Sequence, residues 1–462
     1  MSKSAVTLED LPDELVLEIV QGLGCIRSYE TQSTAFKNRA KEIGRQCENR
    51  ARQLALHSLC LTNHRLRGIA TPILYASFCG SLTWYGSKPL QLFYRTVRGS
   101  NTGSDRRVRY LEYLQYIENR LADNLGNSLH RDSSHADTTD MAANYLQLLA
   151  DIAVCAPNLQ RLCVVSLETS SISFWQYVIP GGGYPPFEDK AITSVFQKLE
   201  SASLQIHAES ASVYTAKEVA WFHSICSSMV SVPKLKDFRA SGVTSQNWTP
   251  KIHGAFKQLQ RLEFTECCLD IEDVVDIWNA CQGLRHIVCE WAFLIATGTK
   301  PSDLYTALLR HSKTLQTLHL DMREVRTDDG FTASERLGSL QLFTALKSLA
   351  ICEITLLGHV WTLAALREDL LPRCLTDLLP TNLESFALLL LEDQAMENIH
   401  RLQEPLVLST FVRNCQRGFS GLKEVRVVSI HDIHAPKITN AFEGTGVNFS
   451  LVTESKHSFF GM

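Results

Sequence analysis

The chain has 462 residues, 45% hydrophobic and 20% charged, with a formal net charge of -4. That balance supplies enough apolar surface for a sizeable core and argues against wholesale disorder. It also lacks the concentrated basic excess that phosphate neutralisation demands, so nucleic acid is not an expected partner.

The chain opens with MSKSAVTLEDLPDE, polar and acidic, with no apolar run of the kind a secretory signal needs. The fourteen cysteines are therefore expected to be reduced thiols in the cytoplasm or nucleus. Residues 8–23, LEDLPDELVLEIVQGL, predict a first helix, with Pro12 in its first turn and Asp13 and Glu14 at the positive end of its dipole. Leu15, Ile19 and Leu23 recur at helical spacing beside Val16 and Val20, and Gly22 and Gly24 mark the end. In residues 24–53, Phe36, Ala40, Ile43, Cys47 and Leu54 again keep helical spacing. The opposite face carries Lys37, Arg39, Lys41, Arg45, Arg50 and Arg52 against Glu42 and Glu48. Such a stripe suits an acidic partner or, more simply, solvent. Residues 54–78, LALHSLCLTNHRLRGIATPILYASF, place Leu56, Leu59, Cys60, Leu66 and Ile69 on a helical face that Thr71-Pro72 interrupts.

Taken together, LPDEL, the segment ending LCLTNHRLR and the closing ATPILYASF resemble the F-box, particularly its fungal form, over residues 8–78. The resemblance implies a three-helix module that docks on a Skp-type adaptor and, through it, a cullin scaffold and a ubiquitin-charged conjugating enzyme. It further implies that Leu11 and Pro12 form the leading edge of the adaptor surface. Leu15 and Ile19 would be first-helix contacts or supporting core, with Leu59, Leu61 and Leu66 following from the second segment. One departure stands out: the family joins its first two helices by a short loop, where this chain has the insert at 24–53. The F-box-like module is assigned to residues 1–79. Residues 80–150 are expected to be a helical connector and rigid joint, with a polar loop at 123–140.

Across residues 151–430 a short pattern returns nine times: NLQRLCVV, KLESASLQI, KLKDFRAS, QLQRLEFT, GLRHIVCE, TLQTLHLD, ALKSLAIC, NLESFALL and GLKEVRVV. Each is Leu-x-x-apolar-x-apolar, anchored at Leu159, Leu199, Leu235, Leu259, Leu284, Leu315, Leu346, Leu383 and Leu422. The array resembles a divergent leucine-rich repeat. Cys163, Cys267, Cys289 and Cys352 fall at strand positions where a free cysteine acts as a small hydrophobe. Between the strands, 270–281 and 302–311 have helical periodicity, with Asp270 and Ser302 as candidate caps. The expected fold class is α/β: helical module first, then a solenoid of stacked strand–helix units with parallel inner strands. A compact α/β sheet with crossovers would show the same local pattern.

Alternate strand residues face opposite ways, so the x positions form the candidate recognition face. In the central units these are Glu263, Thr265, Val288, Glu290, His319 and Asp321, a mildly acidic column, with Arg239 and Arg426 nearer the ends. Glu263, Thr265, Glu290, His319 and Asp321 are the predicted contacts to a target protein. In residues 431–462, Val447, Phe449 and Leu451 alternate as a closing strand would.

Signs of chemistry are sparse. PGGGYPP at 180–186 lacks the lysine and helix of a phosphate loop, and no CxxC, G-x-S-x-G, H-E-x-x-H or G-x-G-x-x-G pattern occurs. Cys267-Cys268 and His431/His434 are the only tempting nucleophile and base, and a strand end accounts for the cysteines. The most apolar stretch, 354–371, is broken by His359, Arg367, Glu368 and Asp369. No enzyme activity, cofactor, metal or membrane association is expected. The function expected is substrate recognition within a Skp/cullin/F-box ubiquitin ligase, with an unidentified protein target. The alternative is a leucine-repeat scaffold or regulatory protein outside any ligase.

Overall fold

A computed structural model describes residues 10–28, 39–80, 86–99, 110–120, 135–166, 196–206, 225–243, 254–292, 294–295, 298–326, 335–357, 375–390, 418–430 and 435–454, with isolated positions at 174, 178, 222, 408, 411, 412 and 415. Residues 29–38, most of the loop at 123–140, PGGGYPP, His431, His434 and the last eight residues lie outside them. The chain divides into two compact units, Met1–Ala208 with Ser231–Leu235, and Glu209–Val230 with Lys236–Met462.

In the first unit, helix α1 (Asp13–Gln21) begins after Pro12, with Asp13 and Glu14 in its first turn. Helix α2 (Arg39–Thr62) is one continuous helix that joins the insert to the second segment, as the spacing of its apolar residues predicts. Helix α3 (His64–Leu74) is capped by Asn63, whose side chain accepts the Leu66 N–H at 2.8 Å. This satisfies a donor that would otherwise be orphaned at the helix start. Val16, Val20, Leu56, Leu66 and Ala70 form the core of this three-helix cluster.

The chain then enters the sheet sooner than the sequence pattern predicts. Strand β1 (Ser77–Gly80) pairs in parallel with β2 (Tyr116–Arg120), and β2 with β3 (Arg161–Ser166), which pairs with β4 (Ser201–Ile206). Helices α4 (Lys88–Gly99) and α5 (His135–Cys155) lie between the strands in sequence. The connector expected to be helical over 80–150 is therefore itself a repeat unit, containing β2. Leu114, fully buried, occupies the same place before β2 as Leu159 before β3.

In the second unit the strands of the main sheet are β5 (Asp237–Ser241), β6 (Arg261–Cys267), β7 (His286–Trp291), β8 (Thr317–Asp321), β9 (Ser348–Cys352), β10 (Ser385–Leu389), β11 (Glu424–Ser429) and β12 (Asn448–Thr453). Each pairs in parallel with the next in sequence. A strand order that follows the chain without reversal is that of a repeat solenoid, not of a doubly wound sheet, whose order reverses at a switch point. All nine predicted strands are present across the two units, and every anchoring leucine is at most 6% exposed. Cys163, Cys267, Cys289 and Cys352 are buried as expected. β12 is the closing strand. Phe449 on it stacks on Phe442 of α8 (Pro436–Phe442), ring centres 4.7 Å apart.

Two further regularities hold the units in register. The residue after each anchor donates its N–H to the equivalent carbonyl one unit earlier, as in Arg285 to Gln260, Gln316 to Arg285, Lys347 to Gln316 and Glu384 to Lys347 at 2.7–2.9 Å. Helices α6 (Ile271–Asn279) and α7 (Pro301–Leu309) back the sheet, burying Ile271, Val274, Ile277 and Trp278, and Leu304, Ala307 and Leu308. Asp270 stands at the N-cap of α6 without a side-chain cap bond. The start of α7 is secured by Asp303, which accepts the Lys300 N–H at 2.8 Å, and not by Ser302. Among the described residues no helix is long and apolar enough to cross a membrane.

Candidate functional site

Two surfaces carry the residues singled out in the sequence, one in each unit. On the first, α1 presents two apolar stripes. Val16 and Val20 are wholly buried against α2 and α3, whereas Leu15 (47% exposed), Leu17 (40%) and Ile19 (52%) face outward. Leu61, near the end of α2, is 71% exposed. Arg65 draws the start of α1 to the α2–α3 junction, pairing with Asp13 at 2.6 Å and donating to the Leu11 carbonyl. Pro12 is exposed, while Leu11 and Leu59 are partly covered and lean on the core. Leu66 is only 3% exposed, so the adaptor contact expected of it is corrected to a core role: the small cluster needs a side chain from α3 to close it.

The basic stripe of the insert is not simply solvated. Arg45 on α2 reaches the buried Glu118 of β2, donating through Nη1 at 3.1 Å and forming a second, closer bond through Nη2. Arg45 also pairs with Glu42 and donates to the Ile26 carbonyl, each at 2.6 Å. Gln46 and the Tyr116 hydroxyl complete the shell of donors around Glu118. Asn49 clasps Ile26, accepting its N–H at 2.7 Å and donating to its carbonyl at 3.0 Å. Burial works against the Arg45 charge, but Glu42 and Glu118 outweigh it and raise the guanidinium pKa further. The joint between helical module and strands is thus built by the insert, and residues 80–150 provide its acidic socket.

On the second surface, the register places Arg239, Glu263, Val288, His319, Ala350, Ala387 and Arg426 in one row across β5–β11. Glu290 and Asp321 are paired in the next row. The predicted column is therefore real as a juxtaposition, but it is less open and less acidic than the sequence suggests. Glu263 (8% exposed) and Thr265 (2%) are buried, which corrects their expected place among the contacts to a target. Glu263 lies 3.7 Å from Arg239 and 3.8 Å from Arg261. Burial raises the Glu263 pKa, and the two arginines pull against that shift. Asp321 is held by Arg323 at 2.6 Å, and Arg323 also reaches Glu454 at 3.1 Å. Burial pushes the Asp321 carboxyl up, yet the Arg323 hydrogen bonds prevail and keep it below its usual value. His319 sits 3.6 Å from Glu290, and burial holds its pKa down.

The sequence placed Arg45 on the basic stripe without its partner, and Glu118 and Arg323 were missed. A charged residue next to the apolar Ile117 in a strand-like segment was the available signal for Glu118. Cys267 is buried in β6, donating to the Glu290 carbonyl at 3.3 Å, a structural role.

Strands that pair in chain order within each unit, with a buried leucine ahead of each, define a repeat protein of the kind suited to protein interaction. A family model described as a leucine-rich repeat domain matches residues 201–459, more than half of the chain, and the chain belongs to that family. No curated protein matches the sequence.

Proposed function

We propose that this protein is a non-catalytic, substrate-recognition subunit of a Skp/cullin/F-box ubiquitin ligase. The observation that carries the reading is the division of α1 into a buried Val16/Val20 stripe and an uncovered Leu15/Ile19 stripe. Apolar side chains at i and i+4 left outside a module's own core are the usual means of helix-mediated docking. The adaptor would engage Leu15, Ile19, Leu61 and Pro12, and the target would engage the repeat surface. The mechanism is proximity: a captured target is held at high effective concentration beside the charged conjugating enzyme, and rigidity in the carrier preserves that gain. The Arg45–Glu118 joint supports such rigidity within the first unit.

The test is co-purification of the full chain with a purified Skp-type adaptor, comparing wild type with Leu15→Asp and Ile19→Asp. Capture by wild type, weakened at least about tenfold in each variant, is expected, because a charge in an apolar interface loses more than about 1.4 kcal/mol. No capture by folded wild type would overturn the reading and leave a leucine-repeat scaffold acting outside any ligase.

A further inference from the structure

Cys25 and Cys79 bring their Sγ atoms to 3.0 Å although 54 residues separate them in the chain. Cys25 follows α1, and Cys79 lies in β1, in register with Glu118 of β2. Both are free thiols. A disulfide requires about 2.05 Å between sulfurs, so roughly 1 Å of approach would close one here. Cys25 also lines a cleft of about 360 Å3, together with Gly24, Arg27, Arg52 and Ser77. Cys79 is the more deeply set of the two. Cys267 and Cys289 are close partners as well, but both are fully buried, out of reach of a dissolved oxidant.

From this geometry we infer that Cys25 is an oxidation site for small hydroperoxides, with Cys79 as its resolving thiol. The Cys25 thiolate attacks the terminal peroxide oxygen, the O–O bond breaks, and hydroxide leaves from hydrogen peroxide or alkoxide from an alkyl hydroperoxide, giving Cys25 sulfenic acid. The Cys79 thiol then attacks that sulfur and the sulfenic oxygen departs as water with the thiol proton, leaving a Cys25–Cys79 disulfide. The peroxide is reduced and the two thiols are oxidised, and an external dithiol reverses the change. Cys25 is the thiol that lines the cleft, and the hydrogen bond between the two sulfurs lowers its pKa and raises that of Cys79, which agrees with attack by Cys25. Burial and Glu118 oppose the Cys25 shift, while Arg45 and Ser77 assist it. The bridge would tie the end of α1 to β1. The inference stands independently of adaptor binding.

The experiment uses the reduced full-length chain, graded hydrogen peroxide, thiol alkylation and peptide mass spectrometry. A Cys25–Cys79 linked peptide, lighter by two hydrogens and lost on dithiothreitol, is expected. It should exceed disulfides involving the exposed Cys47 or Cys155 by about tenfold or more, since a partner thiol held in place acts at high effective concentration. Cys79→Ser should accumulate a dimedone-reactive sulfenic acid at Cys25, and Cys25→Ser should leave Cys79 reduced. Oxidation of Cys47 and Cys155 while wild-type Cys25 and Cys79 remain alkylatable would overturn the inference.

Discussion

Glu118 is 1% exposed in a strand whose neighbours are Tyr116 and Ile117, and it is tolerated there because Arg45, Gln46 and Tyr116 supply its donors. Removing one partner of a buried pair strands the other charge, at a cost of about 3–5 kcal/mol. Arg45→Met, which leaves the buried Glu118 carboxylate without its cation, should lower the denaturation midpoint of the full chain strongly, and Glu118→Gln, which leaves Arg45 its Glu42 and Ile26 partners, should lower it less. Equal midpoints for Arg45→Met and the wild type would contradict the pairing. His311, 1% exposed, carries a different burden. Its Nδ1 accepts the Leu284 N–H at 3.3 Å and its Nε2 faces the Trp278 carbonyl at 3.2 Å, so the ring is neutral with its proton on Nε2. Burial lowers its pKa. The unfolded ring takes a proton near pH 6.5, the folded ring only at lower pH, so stability present above that range is lost as pH falls below about 6.5. His286 and His319 are shifted in the same direction. In urea unfolding followed from about pH 7.5 to about pH 5, His311→Gln should therefore flatten the acid slope without abolishing it.

Among the elements, α1 offers the sharpest contrast. Val16→Asp would bury an unpaired carboxylate and should unfold the helical cluster, whereas Leu15→Asp and Ile19→Asp, at exposed positions, should change stability by no more than about 0.5 kcal/mol. Circular dichroism and denaturation of the three variants would separate these outcomes before any binding is measured. The sequence revealed that α1 is amphipathic but not which of its two adjacent apolar stripes faces inward, because that is decided by α2 and α3. The nine leucine-anchored strands were legible because an anchor and two alternating apolar residues recur in each. β2 was not, since Asn119 stands where the pattern calls for its second apolar residue. Asn119 is buried nonetheless, its side-chain oxygen accepting from the Tyr145 hydroxyl at 2.8 Å. For the same reason the Glu263–Asp321 column was legible as a shared face but not as a paired one. Alternation reports the side of a strand, whereas Arg239 reaches Glu263 from the neighbouring strand β5 and Arg323 reaches Asp321 from the turn after β8.

At the scale of a whole unit, the repeats depend on their neighbours, because each inner strand is completed by the one before and the one after it. Leu318, fully buried in β8, is flanked in register by Ile287 and Leu349. Leu318→Ala should cost about 3 kcal/mol. Replacement of Glu263, Glu290 and Asp321 by lysine would set cations beside Arg239 and Arg323 and damage the fold, so loss of target capture in such a variant would not report a contact. Arg426, with 46% of its side chain exposed, gives a cleaner probe of the same row.

The Arg323–Glu454 pair joins the ends of β8 and β12, four strand steps apart. Along a flat sheet four steps measure roughly 19 Å, farther than the two side chains and their 3.1 Å contact can span. The pair therefore works as a bowstring drawn across an arc. Cutting it with Glu454→Gln should slacken this arc, and small-angle X-ray scattering of the variant beside the wild type would read the change.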